Sequence, residues 1–145
     1  MTGSPDTGRV MAIDYGTRRV GVAVSDPSRI LASGRGTLDN TPALLDGLRA
    51  IAGAEEVVLI VVGMPYAPDG GKGKKGEEVE EFIGRLRGAV NVPVESWDES
   101  FTSVQAHRAF LDGGMKKKQR REKGRVDEMA ARLLLQEYLE NSRHH

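Results

Sequence analysis

At 145 residues, with 39% hydrophobic and 29% charged side chains and a formal net charge of zero, the chain has the size and balance of one soluble domain that can bury its own core. It has no cysteine, which excludes a disulfide scaffold, a thiolate zinc site and a cysteine nucleophile, and fits a reducing compartment such as the cytoplasm. No apolar run approaches the roughly 20 residues of a membrane-spanning helix, and the polar residues 1–8, which include Asp6, do not read as a secretory signal.

Residues 9–14 predict a short apolar strand that ends on Asp14. A turn at Gly16-Thr17-Arg18 leads into residues 19–26, where Val20, Val22 and Val24 alternate with Gly21, Ala23 and Ser25. That period of two predicts a strand with branched residues on one face and small ones on the other, so the two segments form a tight hairpin. A third strand is expected within residues 29–38. Thr41-Pro42 predicts a helix start in cap-then-proline order, followed by Leu44, Leu45, Leu48, Ile51 and Ala52 at helical spacing. The uninterrupted apolar residues 57–62, between Glu56 and Gly63, predict a central strand covered on both faces, with parallel pairing.

Residues 66–76 hold four glycines and Pro68 and predict a mobile loop, whose lysines Lys72, Lys74 and Lys75 are candidates for nucleic-acid contact. The next helix, 77–87, carries Val79, Phe82, Ile83 and Leu86 on one face. Residues 92–97 form a further strand running into Asp98-Glu99. Trp97 is read as packing on the sheet, because aromatics at 5% of the chain do not make a base-stacking platform. Thr102 is expected to cap a helix bearing Val104, His107, Arg108 and Leu111, with His107 packing rather than catalytic, and Gly113-Gly114 to end it. Residues 116–125 contain Lys116, Lys117, Lys118, Arg120, Arg121, Lys123 and Arg125 against Glu122 alone. Such a block is either a solvated loop or a loop that grips phosphate. A last helix is expected over residues 126–140. The whole predicts one α/β domain, a mixed five-stranded sheet flanked by helices, over residues 9–140, with a disordered lead-in at 1–8 and tail at 141–145.

Three acids stand where regular elements end or begin: Asp14 after the first strand, Glu99 after the last, and Asp127 at the entry to the final helix. Ligands gather outside strand ends in open α/β sheets, so the three are expected to converge. In the final helix, about 100° per residue puts Val126, Met129, Ala130, Leu133 and Leu134 on a buried stripe, Asp127 at its edge, and Glu128 facing water. Converging carboxylates repel one another, and a hard divalent cation relieves that repulsion. All-oxygen ligation suits Mg2+ or Mn2+, ions that activate water and stabilise charge on a scissile phosphate.

Four blocks together resemble the YqgF family, also called RuvX. They are Asp14-Tyr15-Gly16-Thr17-Arg18-Arg19-Val20-Gly21-Val22-Ala23-Val24-Ser25, then Val62-Gly63-Met64-Pro65 with Asp69-Gly70, then Asp98-Glu99-Ser100-Phe101-Thr102-Ser103, and Val126-Asp127-Glu128-Met129-Ala130-Ala131. They fall in family order and span residues 9–139. The resemblance implies an RNase H-like fold and either maturation of small-subunit ribosomal RNA precursors or resolution of Holliday junctions. It also implies catalytic and metal-binding roles for Asp14, Glu99 and Asp127. Ser100 departs from the family pattern, which commonly has arginine there, so a phosphate contact from that position would have to come from Arg108 or the basic loop.

The expectation is therefore a Mg2+- or Mn2+-dependent nuclease acting on nucleic acid. Its contacts would come from Thr17, Arg18, Thr102, Lys116, Lys117, Lys118, Arg120 and Arg121, though Thr17 equally well closes the turn and Thr102 is read as a helix cap ahead of a phosphate contact. A junction resolvase cuts two strands symmetrically and is expected to be a homodimer. Two other classes compete. The Asp-Tyr-Gly-Thr block followed by Gly21 also resembles the first phosphate loop of actin-like ATPases and sugar kinases, but those close two such domains over nucleotide and this chain is too short for both. A nucleic-acid- or ribosome-binding module that has lost catalysis is the third class.

Overall fold

Five strands form one sheet in the order β3-β2-β1-β4-β5. β1 (Arg9–Tyr15), β2 (Arg19–Ser25) and β3 (Ala32–Asp39) make the antiparallel part. β4 (Val57–Met64) pairs parallel with β1, and β5 (Val94–Asp98) pairs parallel with β4. The computed structural model describes residues 7–65, 71, 73–99 and 123–142. Within them, helices α1 (Leu44–Ala54), α2 (Gly73–Ala89) and α3 (Lys123–Ser142) cover the sheet. The mixed five-stranded architecture is the one the sequence predicts, with β4 central and apolar on both faces. No helix among the described residues is long and apolar enough to cross a membrane.

Strand alternation divides the core into two layers. Met11 and Ile13 of β1, Val20, Val22 and Val24 of β2, and Ile60, Val62 and Met64 of β4 face α1 and α2, where Leu48, Phe82 and Leu86 are fully buried. Val10, Ala12, Ala23, Leu59 and Val61 face α3 and bury Ala131, Leu134, Leu135 and Leu139. Each such buried leucine contributes about 1.5–3 kcal/mol relative to an exposed one. Small residues on the second face, Ala12, Gly21 and Ala23, let α3 lie close to the strands.

Three boundaries differ from the sequence reading. Thr41 does not cap α1: its hydroxyl accepts the Ala43 N–H at 3.2 Å and its carbonyl accepts the Leu44 N–H at 2.9 Å, so Thr41-Pro42 build a turn that leads into a helix beginning at Leu44. Residues 73–76, read as loop from their glycines, are the first turn of α2. Gly73 supplies a left-handed entry at φ +66°, and Gly76 is buried, so the glycines there serve entry and packing rather than mobility. Finally, α3 begins at Lys123 and presents a rotated face: Ala131 and Leu135 are buried while Met129 and Leu133 are only partly so. The expectation that Glu128 faces water fails with that rotation. Glu128 is half-buried, its Oε2 accepts the Gly36 N–H of β3, and a Cβ at Gly34 would lie 2.7 Å from its Cγ.

α3 is tied to both edges of the sheet. Gln136 accepts the Ala32 N–H at 3.0 Å and donates to the Ile30 carbonyl at 2.9 Å. Tyr138 packs edge-on against Trp97, with ring centroids 5.4 Å apart, and its hydroxyl hydrogen-bonds Glu95 Oε2 at 3.2 Å. Trp97 thus packs on the sheet as expected.

The β2–β3 turn is organised by one exposed carboxylate. Asp26 accepts N–H bonds from Ile30 at 2.7 Å, Leu31 at 2.8 Å and Ser28 at 3.2 Å. The Leu31 bond, followed by those of Ile30 and Ser28, holds its pKa below the ordinary value of 3.8. A folded-state pKa depressed below the unfolded one contributes stability that is present above the unfolded pKa and lost as pH falls through the folded one. Asp26→Ala should therefore destabilise the protein at pH 6, and the gap in urea midpoint between variant and wild type should close as pH falls below the ordinary carboxylate value of 3.8.

Candidate active site

The site is legible in one row across the sheet on the face covered by α3. Asp14 of β1 pairs with Gly21 of β2. Ile13 pairs with Val62 of β4, so Gly63 comes next, beside Asp14, and Gly63 pairs with Trp97 of β5. Reading across, the row is Gly21, Asp14, Gly63, Trp97. Neighbouring strands are about 4.8 Å apart, so Asp14 stands between two positions that have no side chain.

Both vacated positions are filled from elsewhere. A Cβ on Gly63 would overlap Glu99 Oε1 and lie 3.0 Å from its Cδ. A Cβ on Gly21 would overlap the main-chain carbonyl oxygen of Asp127. Neither glycine has a positive φ among the described residues, so it is the missing side chain that each position uses. The Glu99 carboxylate therefore lies on the sheet next to the strand that bears Asp14, and the first turns of α3 lie on the other side. Asp14 is 6% exposed and Glu99 3%. These are the buried acids of the core face, as expected for groups recruited to chemistry and not for solvated surface charge.

Asp127 is oriented differently. Its Oδ2 accepts from Arg19 Nε at 3.3 Å, a partly exposed ion pair of the kind that contributes little to stability. Asp127 and Arg19 line an open cleft of about 300 Å³ together with Gly16, Thr17, Arg18 and Lys75. The turn carrying Thr17 and Arg18 is pinned from the end of β3: Asn40 donates its side-chain amide to the Gly16 carbonyl at 2.8 Å and its backbone N–H to the Arg18 carbonyl at 2.8 Å. A Cβ at Gly16 would overlap the Arg19 carbonyl, so the turn can be this tight only with glycine there.

The structure thus brings Asp14, Glu99 and the start of α3 to one end of the sheet, with Thr17 and Arg18 beside them. Thr102, Lys116, Lys117, Lys118, Arg120 and Arg121 lie outside the described residues, as do Ser100, His107 and Arg108. Arg19 is a cleft residue that the sequence does not single out, and Lys75 is one whose placement it does not give. Arg19 lies in the first motif, where the sequence reads only as a strand start; Lys75 is a candidate nucleic-acid contact on a loop, and no local pattern in the sequence says that it stands on α2 beside the β1–β2 turn. Among the described residues, no three His, Asp or Glu side chains close around a point that could hold a metal, and the Asp127 carboxylate is paired with Arg19.

A family model described as "RuvX: Holliday junction resolvase" matches residues 8–141, four-block pattern included. The chain belongs to the RuvX family. A relative from Phocaeicola vulgatus is 43% identical over 137 residues, covering 94% of this chain and 98% of its own length, and one from Roseiflexus sp. is 39% identical over 142 residues, covering 97% and 99%. Both carry the name "Putative pre-16S rRNA nuclease". Among solved structures, T. thermophilus RuvC in complex with Holliday junction substrate aligns with a TM-score of 0.61 at 14% identity, covering 94% of this chain and 96% of that one. Fowlpox virus resolvase aligns at 0.55 and 11%, covering 92% and 98%. At these identities the likeness concerns the fold, which is RNase H-like, as the resemblance of the motifs implied.

The donor chemistry of this RuvX site suits a hard cation. Two buried carboxylates, one on β1 and one that follows β5 and lies over Gly63 of the intervening β4, repel each other when charged, and a divalent ion between them offsets that cost. The donors are oxygens, which favour Mg2+ or Mn2+ over softer metals. The glycines on either side of Asp14 leave the room that the Glu99 carboxylate and the start of α3 occupy.

Proposed function

We propose that this RuvX-family chain is a metal-dependent endonuclease that hydrolyses phosphodiester bonds of nucleic acid in the cytoplasm, with precursor 16S ribosomal RNA as its substrate. The observation that carries the chemistry is the buried Asp14, flanked by Gly21 and Gly63, with the Glu99 carboxylate lying over Gly63. The names of the relatives from Phocaeicola vulgatus and Roseiflexus support the choice of substrate.

In this reading Asp14 and Glu99 would hold the ion, and Asp127 would be the third ligand if its carboxylate left Arg19. A divalent ion bound there supplies activation of the attacking water and stabilisation of charge on the phosphate. The chain's own residues do the rest. The sheet fixes Asp14, the glycine row sets how near Glu99 and α3 approach it, and Thr17 and Arg18 on a pinned turn orient the sugar-phosphate backbone. Were Asp127 to serve as that ligand, Arg19 would lose its carboxylate partner in the cleft, and its guanidinium would be free to bind anionic oxygens of a phosphate.

Junction resolution is the second reading, favoured by the description of the family model. The test is cleavage of labelled precursor 16S RNA, unstructured RNA and four-way DNA junctions with Mn2+, Mg2+ or EDTA. Cutting of the precursor RNA that needs metal is the expected result. Paired symmetrical cuts in the junction, by a species that light scattering shows to be a dimer, would move the assignment to resolution. Binding of RNA with no cutting under any metal condition would leave a non-catalytic module.

A further inference from the structure

Lys75 has the geometry of a binding residue in a place where the family motifs do not run. It lies in the first turn of α2 and shares the cleft with Thr17, Arg18, Arg19 and Asp127. Its Nζ sits 5.6 Å from the centroid of the Tyr15 ring. Tyr15 is in turn stacked on Phe82, with centroids 4.4 Å apart and planes 28° from parallel, and Phe82 is fully buried. An exposed lysine is ordinarily a mobile tether. This one is held against an aromatic face anchored in the core, so it loses less freedom when it binds an anion.

The charges around it point to the ligand. The Asp127 carboxylate is occupied by Arg19, which leaves Arg18 and Lys75 as the two cations of the cleft that form no salt bridge among the described residues. They reach the cleft from different elements, Arg18 from the β1–β2 turn and Lys75 from α2. Their common neighbour Thr17 offers a hydroxyl on an exposed tip. We infer that Lys75 and Arg18 together clamp a backbone phosphate of the nucleic-acid strand that enters the active site, with Tyr15 as the platform that positions Lys75. The inference rests on the nuclease reading and adds to it a second wall of the substrate channel, supplied by α2.

Lys74 provides an internal control. It carries the same charge one residue away on the same helix and does not line the cleft. Lys74→Gln and Lys75→Gln therefore change the long-range field almost equally and differ in local contact alone. Affinity for a fluorescent 12-nucleotide single-stranded RNA is measured by anisotropy, with EDTA present, over a range of salt.

Lys75→Gln should weaken binding roughly fivefold and reduce the slope of log affinity against log salt by about 0.7, the contribution of one phosphate contact to a single strand. Lys74→Gln should change both much less. Tyr15→Leu, with folding checked by thermal melting, should reproduce part of the Lys75 loss, and adding Lys75→Gln to it should cost less than in the wild type. Equal effects of the two lysine variants, or none from either, would overturn the clamp while metal-dependent cleavage by the wild type left the nuclease reading standing. Failure of the wild type both to bind and to cut nucleic acid would remove the two together.

Discussion

Asp14→Asn should lower phosphodiester cleavage by roughly three orders of magnitude while leaving the fold intact, because ion-assisted charge stabilisation contributes several kcal/mol and about 1.4 kcal/mol is a factor of ten. Asparagine keeps the shape of the side chain and removes the charge that binds the ion. Asp14 is 6% exposed and lies in the row between Gly21 and Gly63, so an amide of the same shape is the substitution that disturbs the packing around it least. The apo variant should consequently melt close to wild type. Steady-state cleavage, Mn2+ titration by calorimetry and thermal melting separate the effects. A variant that retains cleavage would remove Asp14 from the metal centre. A variant that loses cleavage only because it unfolds would show the loss in the melt.

The second large effect is expected where no functional group is touched. Gly63→Ala would place a methyl where the Glu99 carboxylate lies, 3.0 Å from its Cδ and 3.1 Å from its Cγ. The methyl stands on a rigid central strand, so the glutamate has to move. A displacement of about 1 Å at a reacting centre costs on the order of 100-fold in rate, and loss of a ligand position also weakens Mn2+ binding. Stability should fall little, because alanine is accommodated in strand geometry and a side chain can shift more cheaply than backbone.

Gly21→Ala makes the contrast. Its methyl would meet the Asp127 main-chain carbonyl, and a helix packed along the sheet cannot yield as a single side chain does. That substitution should cost about 1–3 kcal/mol or more of unfolding free energy, seen as a lower urea midpoint, together with lost cleavage. Equal loss of stability in the two variants, with Mn2+ affinity unchanged in Gly63→Ala, would show that these glycines serve packing only.

Much of this was legible before any coordinates. The alternation of Val20, Val22 and Val24 with small residues defines β2 and its two faces, because side chains on a strand point alternately to opposite sides. The unbroken apolar run at residues 57–62 marks β4 as central, since only a strand covered on both faces can be apolar on both. The motif blocks singled out Asp14, Glu99 and Asp127 as candidates, and the family match agrees with the resemblance drawn from those blocks.

What the chain could not disclose locally concerns contacts between segments far apart in sequence. The rotation of α3 that seats Glu128 on Gly36 depends on how the helix packs over β2 and β3, and helical periodicity alone gives a stripe without saying where the partner surface is wider. Lys75 reads as loop because glycine promotes turns in isolation, yet Gly76 is buried in α2 and carries Lys75 to Tyr15. The functional meaning of Gly21 and Gly63 was hidden for the same reason. A glycine shows in the sequence only that a side chain is missing; what fills the space is decided when Glu99, 36 residues beyond Gly63, and Asp127, 106 residues beyond Gly21, are folded onto the sheet.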